Sequence, residues 1–210
     1  MENLEKQIAE HLLQIKAIKL QPSNPFTWAS GWKSPIYCDN RKTLSFPNTR
    51  NLIKEHFSRI ISEKYKDCDL IAGVATGAIA QGALVADNLN LPFVYVRSSS
   101  KKHGLENLVE GHIVEGQKVV VVEDLVSTGA SSLKAVEALR KAGCEVLGML
   151  AIFSYGFNIA EENFKNSNCE LTILSSYNTL INKALEIDYI SEKDIETLNE
   201  WRKNPEKWKV

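Results

Sequence analysis

Two adjacent carboxylates, Glu123 and Asp124, stand between a run of four valines and a run of small residues. The valines of residues 119–122 predict a buried strand, and residues 127–132, Ser-Thr-Gly-Ala-Ser-Ser, lead into a predicted helix. Free amides at a helix N-terminus attract an anion, and small side chains let a ligand approach the backbone. An ordinary helix N-cap needs one Ser, Thr or Asp and would not explain the carboxylates. Together these residues predict a pocket for a ribose 5-phosphate.

A second group of basic side chains, Arg97, Lys101 and His103, follows the apolar run of residues 93–96. Residues 98–111 contain three serines, two lysines and two glycines, and loops of this length in compact domains are often lids. Cations that close over a phosphorylated ligand stabilise its negative charge and exclude water. We therefore predict a cationic lid over the pocket; the alternative is a solvated charged loop.

The elements that must position these residues follow from the hydrophobic pattern. Short apolar runs alternate with helical segments, which predicts a parallel sheet covered on both faces, with ligands at the carboxyl ends of its strands. The runs are residues 70–74, 93–96, 119–122, 146–153 and 171–174, and the helices between them are about 77–89, 128–142 and 158–165. Amphipathic helices are predicted at residues 3–18 and about 48–63, with short strands and turns at 21–37 and helices at 177–203.

Composition limits the class of protein. The 210 residues suit a single domain over 1–210, and 25 Lys plus Arg against 26 Asp plus Glu argue against a nucleic-acid partner. No apolar run reaches the roughly 18 residues of a membrane span, and no basic start is followed by an apolar stretch. The four cysteines form no C-x-x-C pair. We therefore predict a cytoplasmic protein with reduced thiols and no membrane partner.

Three segments carry a resemblance to a known family. Residues 119–131 resemble the motif with which type I phosphoribosyltransferases bind phosphoribosyl pyrophosphate (PRPP): four apolar residues, two acidic, two apolar, Ser or Thr, any residue, Gly, then small residues. No G-x-G-x-x-G or P-loop competes with it. Residues 26–41, with Ser-Gly-Trp-Lys-Ser-Pro, resemble the hood of orotate phosphoribosyltransferases, and the segment from residue 95 to 111 resembles their lid loop.

The resemblance implies the type I phosphoribosyltransferase fold, an α/β architecture with a central parallel sheet flanked by helices. It adds a small hood from about 20–45, a flexible lid loop at 98–111 and C-terminal helices at 177–203. The implied reaction moves the 5-phosphoribosyl group from PRPP to orotate, giving orotidine 5′-monophosphate and diphosphate in pyrimidine biosynthesis. Mg²⁺ is expected to enter with PRPP without a direct protein site, and family members are homodimers in which one subunit's lid loop serves the other's site.

The resemblance also implies roles for individual residues. Lys101, His103 and Asp124 are the implied catalytic residues, with Lys101 or His103 as the acid that assists diphosphate departure. Ser127 aligns with the position that meets orotate, and Lys33 is a candidate contact for the orotate anion, with a surface turn as the alternative. The implied PRPP contacts are Arg97, Lys101, His103, Glu123, Asp124, Leu125, Val126, Ser127, Thr128, Gly129, Ala130 and Ser131.

Some family features are absent from this chain. Ser98 and Ser99 stand where many members have a further lysine, and Ala29 and residues 76–77 and 153–156 lack basic acceptor-site residues that some members carry. These departures favour a different branch of the family. Two alternatives stay open: a phosphoribosyltransferase for a purine or uracil, and a regulatory protein that binds PRPP without catalysis. The lid cations, and the lack of a preceding basic helix-turn-helix, disfavour regulation.

Overall fold

The N-terminal part of the chain forms a helix and two small hairpins. In the computed structural model, which describes residues 2–28, 30–98 and 108–208, α1 (Glu2–Gln14) precedes the hood. Strands β1 (Ile18–Leu20) and β4 (Ile36–Cys38) pair antiparallel, as do β2 (Phe26–Thr27) and β3 (Lys33–Ser34). A 3-10 helix, Asn40–Ser45, follows. The short strands and turns predicted for residues 21–37 are confirmed.

The predicted first helix was too long. Lys16 has a φ of 55°, in the left-handed region that ends a helix, and Ile18 begins β1 instead of a fifth helical turn. Ile18 is fully buried by its position in that strand, so its apolar character reflects burial and not helical periodicity. The second helix matches its prediction closely, as α2 (Pro47–Lys64).

Six strands form the central sheet. They are β5 (Leu70–Val74), β6 (Phe93–Val96), β7 (Val109–Glu110), β8 (Lys118–Val126), β9 (Glu145–Ser154) and β10 (Leu171–Ser176). Their order is β10-β9-β8-β5-β6-β7, with all neighbours parallel except the edge pair β6 and β7. The predicted parallel sheet is confirmed. One correction concerns residues 98–111, where a loop was predicted throughout: Val109 is buried in β7.

Helices cover both faces of this sheet, as the continuous apolar strands require. They are α3 (Ile79–Leu89), α4 (Ala130–Lys141), α5 (Asn158–Asn166), α6 (Tyr177–Glu186) and α7 (Glu192–Lys203). One apolar core joins α1, α2 and the C-terminal helices to one face, and a second core joins α4 and α5 to the other. No helix within the described ranges is both long and apolar enough to cross a membrane.

Aromatic rings join the hood to the C-terminal helices. The Trp28 ring of the hood lies 5.6 Å from Trp201 of α7 and 5.3 Å from Tyr155, which follows β9. Trp201 is fully buried, and its ring also meets Phe157 and Tyr177 at 5.6 and 5.8 Å. These contacts fix the hood against the carboxyl end of β9, next to the two predicted carboxylates on β8.

Candidate functional site

The two carboxylates lie near the carboxyl end of β8, in the middle of the sheet. Glu123 is buried, and its two carboxylate oxygens accept hydrogen bonds from the Ser132 hydroxyl at 2.8 Å and from the Asp124 amide at 2.9 Å. Burial, followed by the neighbouring charge of Asp124, raises the pKa of Glu123 to about 8. Burial also raises the pKa of Asp124. A nearby cation, or hydrogen bonds donated by sugar hydroxyl groups, would favour the ionised form of this pair.

The phosphate loop, residues 127–131, connects these carboxylates to α4. Gly129 precedes the helix with a φ of 78°, and it has no side chain that could cap the first-turn amides. A methyl group at this position would press against the ring of Phe164 in α5, 2.8 Å away. Asn163 of α5 donates to the Thr128 carbonyl at 3.0 Å. The sheet and α5 thus hold the loop so that its amides and hydroxyls can face an anion.

Residues within the predicted PRPP motif differ in what they can offer. Val126 is fully buried, and its carbonyl accepts the Tyr155 amide at 3.2 Å. Leu125 packs against the core from a partly buried position. Ser127 and Thr128 are half-buried at the surface of the pocket, while Ala130 and Ser131 are exposed at the start of α4. Residues 125 and 126 therefore shape the turn. The hydroxyl groups that could face a ligand belong to Ser127, Thr128 and Ser131.

Two further loops reach Asp124, and the sequence pattern did not single out either as a contact. Asn40, buried in the 3-10 helix at the end of the hood, donates to the Asp124 carbonyl at 2.5 Å. Gly77, in the loop between β5 and α3, lies so close that a Cβ there would overlap the Asp124 carboxylate. The Ala75–Thr76 peptide bond in that loop is cis. β5 neighbours β8 in the sheet, so this loop and the carboxylates share one edge.

Comparison with known proteins agrees with this geometry. The family model of the phosphoribosyl transferase domain matches residues 45–178. The orotate phosphoribosyltransferase of Bacteroides thetaiotaomicron is 65% identical over 208 residues, covering 99% of this chain and 98% of that protein. The chain belongs to the orotate phosphoribosyltransferase family. Another orotate phosphoribosyltransferase, from Listeria innocua, is 54% identical over 206 residues, covering 98% of this chain and 99% of its own.

A solved orotate phosphoribosyltransferase from Aeropyrum pernix has the same fold. It superposes with a TM-score of 0.76 at 27% identity, covering 88% of this chain and 99% of that one. The type I phosphoribosyltransferase fold expected from the sequence is therefore confirmed. The preference for orotate phosphoribosyltransferases among PRPP-using families is confirmed as well.

The basic residues predicted for this orotate phosphoribosyltransferase site lie in different surroundings. Arg97 follows β6, and its guanidinium meets Glu110 of β7 at 3.3 Å. It lines a cavity of about 220 Å³ together with Ser131 of the phosphate loop. Lys33 is exposed in the hood, where its ammonium donates to the Thr27 hydroxyl at 2.8 Å. Lys101 and His103 lie outside the described residues, so their roles stay predictions.

The family resemblance implied that Mg²⁺ enters together with PRPP and is not held by a dedicated set of protein ligands. Across residues 2–28, 30–98 and 108–208, no three or more His, Cys, Asp or Glu side chains group together as a cage for a metal ion. Glu123 and Asp124 do offer adjacent carboxylate oxygens, the type of ligand that Mg²⁺ prefers, and burial, which disfavours their charged forms, raises the pKa of both groups. These residues fit a metal ion that arrives bound to a phosphorylated ligand.

The carboxylate pair should make folding stability depend on pH. The folded chain keeps a proton on Glu123 up to about pH 8, whereas an unfolded glutamate releases it near 4.5. The unfolded state therefore binds fewer protons in this window, and the free energy of unfolding falls as pH rises through it, by up to about 1.4 kcal/mol per pH unit. Urea unfolding measured between pH 5 and pH 8, the range over which the pKa of Glu123 is raised, tests this. The free energy of unfolding of Glu123→Gln should vary less with pH than that of wild type. An equal slope in both proteins would contradict the buried proton.

Proposed function

We propose that this chain transfers the 5-phosphoribosyl group of PRPP to orotate, and that the carboxylate pair and the phosphate loop together bind the ribose 5-phosphate. The observation that carries the proposal is their position at one sheet edge: Glu123 and Asp124 near the end of β8, and residues 127–131 directly after it. A phosphate held by residues 127–131 leaves the ribose hydroxyls facing the two carboxylates. The full-length relatives support orotate as the acceptor.

The reaction makes one bond and breaks another at the anomeric carbon. A ring nitrogen of orotate attacks that carbon and releases its proton, which balances the proton that the departing diphosphate takes up, while the carbon–oxygen bond to diphosphate breaks and diphosphate leaves with the electron pair. The ribose becomes oxocarbenium-like in between. Asp124 and Glu123 hold the ribose hydroxyls and lie close to this developing positive charge, which their carboxylates stabilise. When bound, Mg²⁺ neutralises charge on the diphosphate.

The lid loop, residues 98–111, supplies the remaining charge in this proposal. Arg97, Lys101 and His103 contact the diphosphate, and Lys101 or His103 protonates it as it leaves. We expect Lys101→Ala to lower kcat/KM by about 2–4 kcal/mol of transition-state stabilisation, the contribution of one preorganised electrostatic donor. Steady-state rates with PRPP and orotate measure the effect. Lys102→Ala removes the same charge one residue away and serves as the control; a rate like wild type in Lys101→Ala would remove Lys101 from the mechanism.

We also propose that the enzyme is a cytoplasmic homodimer in which each lid loop serves the partner's site. Mixing Lys101→Ala with Asp124→Asn under conditions that exchange subunits tests this arrangement. A hybrid dimer would have one site with both residues intact, because the intact lid crosses to the intact carboxylate. About a quarter of wild-type activity should then return, since half of the dimers are hybrids with one good site each. No recovery, with hybrids demonstrated, means that each lid loop serves its own subunit.

The acceptor is tested most directly by a panel of bases. The purified chain is incubated with PRPP, Mg²⁺ and orotate, uracil, adenine, hypoxanthine or xanthine, and diphosphate release is measured. Release with orotate alone is the expected result. Release with another base in place of orotate would reassign the acceptor. PRPP binding without release for any base would support the regulatory alternative.

A further inference from the structure

A cavity of about 600 Å³ opens between the phosphate loop and the end of the chain. Thr128 of the phosphate loop lines one side of it, and Trp32 lines another from the hood. The wall also includes two residues that follow β9, Gly156 and Phe157. Two cations at the end of α7 line it as well, Arg202 and Lys203. The cavity therefore begins at the predicted sugar phosphate site and ends at a pair of cations.

Arg202 is held rigidly at this wall. Its Nε donates to the Tyr155 carbonyl at 3.0 Å, its Nη2 to the Gly156 carbonyl at 2.8 Å, and its Nη1 to Asn178 Oδ1 at 2.7 Å. A guanidinium has five N–H groups, so two remain without a partner among the described residues. The guanidinium is thus fixed in position and still able to bind an anion.

Gly156 lets the Arg202 guanidinium lie close to the backbone that follows β9. Its φ is 63°, and a Cβ at this position would lie 2.9 Å from Nη2 of Arg202. Any side chain here would push the guanidinium away from the backbone. The segment of residues 153–156 carries no basic side chain itself. The cation beside the end of β9 therefore comes from α7, 46 residues later in the chain.

We propose that Arg202 is a specificity residue that binds the carboxylate of the acceptor, so that α7 forms part of the orotate site. This inference rests on the proposed function. Orotate is a planar ring that carries a carboxylate, and a guanidinium can bind a carboxylate through two parallel hydrogen bonds. Trp32 and Phe157 provide aromatic walls against which a planar ring can pack.

Other charged residues near the cavity fit this role less well. Lys203 lines it too, but the side chain is exposed, and the exposed carboxylate of Glu206 lies on the same wall. Lys33, the acceptor contact suggested by the sequence, is exposed in the hood and bonded to Thr27. Arg202 is the half-buried cation of the cavity wall, and a charge held away from water binds an anion more strongly.

Steady-state kinetics of Arg202→Gln and Arg202→Lys test the proposal, with orotate varied at saturating PRPP and then the reverse. We expect the orotate KM of Arg202→Gln to rise about 10-fold to 100-fold, the effect of losing a charged hydrogen bond. The PRPP KM should stay within about twofold of wild type. Arg202→Lys keeps the charge but not the paired contact, so its orotate KM should lie between those of wild type and Arg202→Gln.

Arg140→Gln is the matched control. Arg140 also clamps two backbone carbonyls, those of Ser167 at 2.7 Å and Asn168 at 2.9 Å, but it does not line this cavity. Its loss should leave the orotate KM unchanged. Thermal unfolding checks that each variant folds, and if Arg202→Gln does not, Arg202→Lys decides through its own rise in orotate KM.

Two outcomes would overturn the assignment of Arg202. The first is an orotate KM within about twofold of wild type in the variant that folds. The second is an equal rise in the KM for PRPP and for orotate, which would mean that Arg202 only supports the structure. A wild-type protein that does not use orotate would instead refute the proposed function, and that result is distinct from both.

Discussion

Asp124→Asn should abolish most of the activity while leaving the fold at least as stable as wild type. The substitution keeps the shape of the side chain and removes a charge that the proposed mechanism places close to the reacting carbon. We expect kcat/KM to fall by about 100-fold to 1,000-fold, the loss that follows removal of one preorganised group at an enzymatic transition state. Steady-state rates across PRPP concentrations measure it.

Stability should move in the opposite direction. Asp124 is adjacent to buried Glu123, and burial disfavours the charged form of Asp124 and raises its pKa. Asparagine is neutral, so it removes the cost of burying this charge and should raise the free energy of unfolding by about 1 kcal/mol, as often happens when a functional charge is removed. Asp87→Asn, the same change on the exposed surface of α3, is the control and should alter neither quantity. Unchanged kinetics in Asp124→Asn would refute its role at the ribose.

Gly77→Ala, in the loop between β5 and α3, should weaken PRPP binding by displacing Asp124. The Cβ of alanine would overlap the carboxylate of Asp124, so either that carboxylate or the loop between β5 and α3 must move. Overpacking of this kind costs about 1–3 kcal/mol. Because the displaced group is a proposed ribose contact, we expect the cost to appear in PRPP affinity, as a loss of about 10-fold or more. Isothermal titration with PRPP and Mg²⁺ measures it directly.

Gly116→Ala separates this effect from a general loss of stability. Gly116 has a φ of 84°, so alanine is strained there, but a Cβ would meet no atom within 4 Å. This control should lower the thermal midpoint while PRPP affinity stays at its wild-type value. Gly77→Ala with normal PRPP affinity would mean that the Asp124 carboxylate can move without consequence.

The local sequence pattern was enough to predict the fold and to indicate the centre of the candidate site. Each apolar run that alternates with a helix can be buried in few ways, and a parallel sheet brings the carboxyl ends of its strands to one edge. Glu123, Asp124 and residues 127–131 could therefore be recognised, since they are contiguous and their types are unusual at a strand end. The local pattern gave a wrong prediction at Ile18. A buried position in a short strand favours an apolar residue just as the apolar face of a helix does, so the sequence could not distinguish the two.

Contacts between distant residues were not predictable in this way. Asn40 reaches the Asp124 carbonyl across 84 positions in sequence, and Arg202 reaches the carbonyls after β9 across 46 or 47. Nothing in their neighbours distinguishes these side chains from other polar residues on helices. Their partners are set by how the hood and α7 pack against the sheet, through rings such as Trp28 and Trp201.

The sequence by itself therefore determined the family, the sheet and the residues proposed to bind a sugar phosphate, because each of these depends on contiguous segments of the chain. The tertiary structure decided which loop lies against Asp124 and which cation is held in the wall of the cavity beside the phosphate loop. Those features depend on packing between segments that are far apart in the chain. Burial and shape decide which of these residues come into contact, and local periodicity does not.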